Sequence, residues 1–268
     1  VTRVIRTTWF AQPGVCPLKR GRQPGCSVYV AFIVGRDKRI PYMGDEDDVF
    51  LVNCTENMNR GKTYRFFQTM VQKFPWATHV GKMDTDTFPY LHRLTASLSV
   101  HANGNECKNQ YVGSPMDFET CGSWEWCPPA ECGPPVGGDL LKFNAQSNAG
   151  QNCWSYMQGG MYVISAPLLR EVTGPNTLWS MWQAGFEDMK VGRILMIHGR
   201  KTGQCIATWN PNAWDHLGEV HLKSEAHPIV MVSDWLAVPS ALDQPPDFVK
   251  MPKKLFGRRS RSGARGAQ

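Results

Sequence analysis

The 268-residue sequence predicts an α/β fold, a mostly parallel sheet with helices on its faces, and two observations carry that prediction. Short apolar runs rich in β-branched and aromatic residues alternate with stretches of helical period, and the opening order is strand, strand, helix, strand. The runs "SVYVAFIVG" and "DVFLVN" are bounded by Gly, Pro and Asp and read as the first two strands. In "NRGKTYRFFQTMVQKF", Phe66, Phe67, Met70, Val71 and Phe74 share one helical face, and "THVGKMD" follows as the next strand. Residues 107–153 break the alternation with Pro, Gly, Asn and Cys, as expected of a long insert over a site rather than a second domain. "SYMQGGMYVIS" returns to strand character and "APLLREV" reads as a short helix. "FEDMKVGRILMIHG" reads as a helix with Glu187 and Asp188 in its first turn and Met189, Val191, Ile194, Leu195 and Ile197 at helical spacing. "GEVHLKS" is expected to be a last short strand and "HPIVMVSDWL" a last helix.

Charge argues against a nucleic-acid partner. The formal charge of +6 is carried by Lys253, Lys254, Arg258, Arg259, Arg261 and Arg265, and without them 23 basic residues face 23 acidic ones. A body so balanced, with no basic stripe interleaved with aromatics, lacks the electrostatic footprint of a nucleic-acid binder. The Gly, Ser and Arg composition of the end cannot support a core, so residues 1–252 are expected to form one domain and 253–268 a disordered basic tail. Nine cysteines without a C-x-x-C pair favour loop disulfides over a zinc knuckle; Cys16 and Cys26 bracket a Pro/Gly-rich loop, and Cys121, Cys127, Cys132 and Cys153 crowd the insert. That usage points to a secretory compartment, where Asn53-Cys54-Thr55 would be a glycosylation sequon. The chain reads as the lumenal part of a longer protein, reaching a membrane only through an anchor absent from this chain.

Chemistry is concentrated in "VGKMDTDTF", where Asp84 and Asp86 stand one residue apart at the end of an apolar run. In open α/β sheets ligands bind beyond the carboxyl ends of the strands. Two carboxylates there suit a hard divalent cation shared with the phosphates of a substrate. An isolated pair of this kind is more often a turn former.

The pair is not isolated. "VTRVIRTTWF", "VGKMDTDTF", "YMQGGMYVIS", "FEDMKVG" and "VHLKS" resemble, in this order, five motifs of the β1,3-glycosyltransferases, the group that includes fringe and the β1,3-galactosyl- and N-acetylglucosaminyltransferases. The Cys-rich insert and the wording of the motifs are most similar to the kinetoplastid branch. The resemblance implies a GT-A fold, a single Rossmann-like domain with a mixed, mostly parallel sheet. It implies an inverting, metal-dependent transfer of galactose or N-acetylglucosamine from a UDP-sugar to a glycan acceptor, forming a β1,3 linkage. It further implies Mn²⁺ as cofactor and the Golgi lumen as location, in the soluble part of a type II membrane protein.

Site residues are carried over with the motifs. Asp188 is implied as the general base, with Glu187 as the alternative. Asp86 is implied as direct metal ligand, Asp84 as ligand to ribose or a metal-bound water, and His221 as the third metal ligand, with His216 and His227 close enough to be confused with it. Arg3, Arg6, Lys82 and Lys223 are placed to contact the nucleotide, and Gly159 and Gly160 allow close backbone approach to it. Trp124, Trp126, Trp154, Trp179 and Trp182 are candidate sugar platforms, and Asp117, Glu119, Glu125 and Asp139 are fallback bases in the insert. Two other readings are a catalytically inactive relative that binds glycans or a partner, against which the intact carboxylates argue, and an unrelated secreted disulfide-rich binding protein.

Overall fold

The computed structural model describes residues 2–36, 46–104, 107–116, 128, 138–139, 154–216 and 227–232. The strands are β1 (Val15–Pro17), β2 (Val28–Gly35), β3 (Val49–Val52), β4 (His79–Met83), β5 (Thr87–Pro89), β6 (Gln110–Met116), β7 (Gly138–Asp139), β8 (Tyr156–Ser165), β9 (Ala207–Trp209), β10 (Trp214–His216) and β11 (His227–Val232). The helices are α1 (Thr2–Thr7), α2 (Lys62–Lys73), α3 (Leu91–Gly104), α4 (Ala166–Val172), α5 (Leu178–Met181) and α6 (Glu187–Thr202).

One mixed sheet runs β1-β2-β11-β4-β8-β6-β9-β7, with β3 also on β2. β1 and β3 are parallel to β2, and β9 is parallel to β6. β11 is antiparallel to both of its neighbours, and β8 to both β4 and β6. Ile229 of β11 lies opposite both Ala31 and Lys82, so β2 and β4 run in the same direction and end on the same side of the sheet. Because β11 occupies one edge of β2, β1 and β3 share the other, end to end.

Both faces of the sheet are covered, which explains why its strands read as unbroken apolar runs. All eight residues of β2 are buried. Tyr29, Ala31 and Ile33 point into a core with Phe67, Met70 and Val71 of α2, Leu168 and Leu169 of α4, and Val191, Ile194 and Leu195 of α6. Val28, Val30, Phe32 and Val34 point the other way, against Ile5 of α1, Trp9, and Leu91, Leu94 and Leu98 of α3. The predicted α2 face is therefore the one that packs, with Phe74 at its margin.

The segment "HPIVMV" differs from its expected helix: it is strand β11, inserted between β2 and β4. By period alone a short, continuous apolar run cannot be told from a helix segment. The rest of that expected helix, the expected strand "GEVHLKS" and the basic tail lie outside the described residues. The expected loop disulfides are represented by Cys16–Cys26, which closes the loop before β2. A second, Cys107–Cys205, joins the chain just before two parallel neighbours, β6 and β9. Among the described residues Cys54 is a free thiol, and no helix is long and apolar enough to cross a membrane.

Candidate functional site

The carboxyl end of β4 carries the acid pair on a turn rather than on the strand itself. Thr87 N–H donates to the Asp84 carbonyl at 3.2 Å, closing a four-residue turn that leads into β5. Asp84 and Asp86 are both half-buried there. The turn is pinned to β8, because the Gly160 carbonyl accepts from Asp84 N–H at 2.9 Å and from Thr87 Oγ1 at 2.9 Å. On its outer side β5 pairs with β10, in a register that sets the backbone of His216 opposite Thr87. His221 and Lys223 lie outside the described residues, and among those described no group of three or more His, Cys, Asp or Glu is arranged to hold a metal.

Facing the turn across the glycine pair is the amino end of α6. A Cβ on Gly159 would stand 3.1 Å from Asp188 Oδ2, so glycine there lets the carboxylate lie close over the backbone. Asp188 Oδ1 accepts from Met189 N–H at 2.8 Å. Burial, then the charge of Glu187, raises the Asp188 carboxyl above its ordinary value. Glu187 is placed quite differently. Its side chain is 5% exposed, one oxygen accepts from the Tyr162 hydroxyl, and the other lies 3.3 Å from Lys82 Nζ. Its N–H, one of the unpaired donors of a helix start, reaches Asn59 Oδ1 at 3.1 Å. Of the two acids, Glu187 is buried and Asp188 is half-buried.

Lys82 is buried beneath this site. Its Nζ lies 2.7 Å from Asp84 Oδ1 and 2.7 Å from the Gly159 carbonyl, besides Glu187. Burial by itself would push the ammonium down, but Glu187 and Asp84 outweigh it and hold Lys82 above its ordinary value. A second buried pair, Lys62 with Glu56, closes the ends of β2 and β3, where the other Glu56 oxygen accepts from Gly35 N–H. Burial pushes the Lys62 ammonium down, and Glu56 opposes.

Arg3 is exposed on α1. Arg6 is engaged by Asp48 at 2.6 Å and by Glu46, beside the start of β3, with its guanidinium over the Phe32 ring. β3 is three strand spacings from β4, about 14 Å. Trp179 is fully buried in the core. Trp154 and Trp182 line a shallow groove with Phe186, Met189 and Arg193 beside the first turn of α6. Trp124, Trp126, Asp117, Glu119 and Glu125 lie outside the described residues, and Asp139 is described only as part of β7.

Tyr162, Asn59, Glu56 and Lys62 were not singled out from the sequence. Tyr162 could have been: two residues beyond Gly160 on a strand, it faces the same side. Asn59, Glu56 and Lys62 sit in an irregular loop and helix start whose approach to α6 is a long-range contact that no local pattern encodes.

The galactosyltransferase family model matches residues 2–200, from α1 through most of α6. The chain belongs to the galactosyltransferase family. A search of curated proteins finds no match. For a galactosyltransferase-family domain the mixed α/β sheet is consistent with a GT-A-like glycosyltransferase fold, and the family implies glycosyl transfer from a nucleotide-sugar donor to a glycan acceptor. In this galactosyltransferase-family chain the matched span contains the acid turn, the glycine pair and Asp188.

Proposed function

We propose that the chain is an inverting, metal-dependent transferase that moves galactose or N-acetylglucosamine from a UDP-sugar to a glycan hydroxyl, forming a β1,3 linkage. The observation that supports this best is the half-buried Asp188 carboxylate poised over Gly159, across the glycine pair from the Asp84–Asp86 turn. Inversion needs a base on one side of the anomeric carbon and a departing diphosphate on the other. This arrangement offers both. Asp188 takes the proton of the acceptor hydroxyl as it attacks, and its raised pKa brings it nearer the range where a base works best. Gly159 and Gly160 admit the sugar close to the backbone, and the groove of Trp154, Trp182 and Phe186 supplies an apolar wall for the acceptor beside Asp188.

The donor set at the turn fits a divalent cation. Asp84 and Asp86 are hard oxygen ligands one residue apart, suited to a metal that takes few protein carboxylates and completes its shell with phosphate oxygens. These two would hold Mn²⁺, joined by His221. The cation, when bound, would neutralise charge developing on the leaving diphosphate. The nucleotide would extend from the turn across the sheet, and Arg3, Arg6 and Lys223 are its proposed contacts. The two disulfides fit a secretory compartment, and we place the chain in the Golgi lumen, as the soluble part of a type II membrane protein.

Thermal shift with UDP tests the donor and metal together. UDP should raise the melting temperature with Mn²⁺ present, EDTA should abolish the shift, and Ca²⁺ should restore it less well than Mn²⁺. A UDP shift unaffected by EDTA would remove the metal from the reading. Linkage analysis of the product on simple galactosides then decides the β1,3 bond.

A further inference from the structure

Lysine on a sheet surface normally keeps its ammonium in water, yet the Lys82 side chain is only 4% exposed. Its ammonium has three N–H donors, and three acceptors surround it: Asp84 Oδ1 at 2.7 Å, the Gly159 carbonyl at 2.7 Å and Glu187 Oε2 at 3.3 Å. Each acceptor belongs to a different element of the site, namely the acid turn after β4, the glycine pair of β8 and the first turn of α6. A phosphate contact would have to compete with these three groups for one buried ammonium.

We propose that Lys82 is a positioning residue that sets where Asp188 stands relative to the acid turn. The proposal rests on the reading of Asp188 as the base. The first turn of a helix frays unless its free groups are tied. Here Glu187 is tied three times, by Lys82 to one oxygen, by Tyr162 to the other and by Asn59 to its N–H. Asp188 follows directly in the chain and inherits that constraint. From the other side, Lys82 holds the Gly159 carbonyl, and Gly159 is the surface against which Asp188 Oδ2 rests. One ammonium thus fixes both the helix turn that carries the base and the backbone against which it leans. Displacement of a reacting group by 1 Å can lower a rate on the order of 100-fold, so such a pin acts on turnover more than on donor affinity.

Lys82→Met keeps length and removes all three donors. In this variant, amide hydrogen exchange at 159–160 and 187–190 should quicken about ten-fold. The turnover rate should fall roughly 10- to 100-fold, with UDP affinity in Mn²⁺ held within about three-fold. Tyr162→Phe removes only one tie to Glu187 and should shift exchange at 187–190 and turnover in the same direction by less. Unchanged exchange at both segments overturns the proposal. So does a loss of UDP affinity in step with turnover, which marks a phosphate contact, or a lowered melting temperature with turnover intact, which marks a purely structural lysine. If Lys82→Met does not fold, Tyr162→Phe decides by the same exchange reading. Should the wild type neither bind UDP nor turn over a UDP-sugar, the proposed function fails, while the exchange experiment still decides the pin.

Discussion

Asp188 and Glu187 are adjacent acids with different surroundings, and the reading of Asp188 as the base makes them respond differently to substitution. Asp188→Asn keeps size and the bond to Met189 but cannot accept a proton. Turnover should fall by about 10²- to 10⁴-fold while UDP-sugar affinity stays within a few-fold, as steady-state kinetics will show. The pH profile follows from the raised pKa. As pH falls through that value the carboxylate is protonated and the base is lost, so the acid limb of turnover should lie above 3.8, the ordinary value. Glu187→Gln removes a charge that raises the Asp188 pKa, so the limb should move to lower pH. At this scale the sequence carries Asp84, Asp86, Gly159, Gly160, Glu187 and Asp188 in the quoted motifs, and the structure brings the acid turn, the glycine pair and the first turn of α6 together. The sequence is silent about Lys82 being held by three acceptors from three elements, because burial of a lysine depends on chain segments far apart.

At the scale of elements, the site depends on how closely α6 lies against β8. Gly192 makes that approach possible: a Cβ there would run into the Ser155 carbonyl and Tyr156. Gly192→Ala should therefore destabilise by about 1–3 kcal/mol through overpacking, despite the better helix propensity of alanine, and denaturant unfolding will measure it. A gain in stability would mean that α6 can shift without strain. The period of α6 was readable because its apolar positions recur every three or four residues, and Val191, Ile194 and Leu195 are indeed buried. β2 was readable for the opposite reason, as a continuous run bounded by Gly and Pro. β11 was not, because its length and composition suit a helix as well as a strand, and only its place between β2 and β4 decides the matter. The sequence predicts a strand end at Asp84 and Asp86 where the structure has a turn, which is pinned by Gly160, more than 70 residues away.

At the scale of the whole molecule, charge is unevenly spread. The tail from Lys253 carries the net charge of +6 and none of the motifs, so its deletion should leave activity and melting temperature nearly unchanged. A marked loss of folding would place the domain boundary further along the chain. The two disulfides among the described residues allow a sharper test, because they close loops of very different length. Cys16–Cys26 spans 10 residues and Cys107–Cys205 spans 98. If a cross-link stabilises by restricting the unfolded chain, the benefit grows with the logarithm of loop length, and the longer loop should contribute about 2 kcal/mol more. The long bridge also ties the approaches to the parallel pair β6 and β9, which lie far apart in sequence and would otherwise have to find each other unaided. Denaturant midpoints of Cys107→Ser/Cys205→Ser and Cys16→Ser/Cys26→Ser, each measured against the wild type, should therefore differ, with the first pair the more damaging. Equal losses would show that local packing around each bridge, rather than chain entropy, sets its value. A larger loss from the short loop would mean that the approach to β2, into which it leads, is the more fragile part of the sheet.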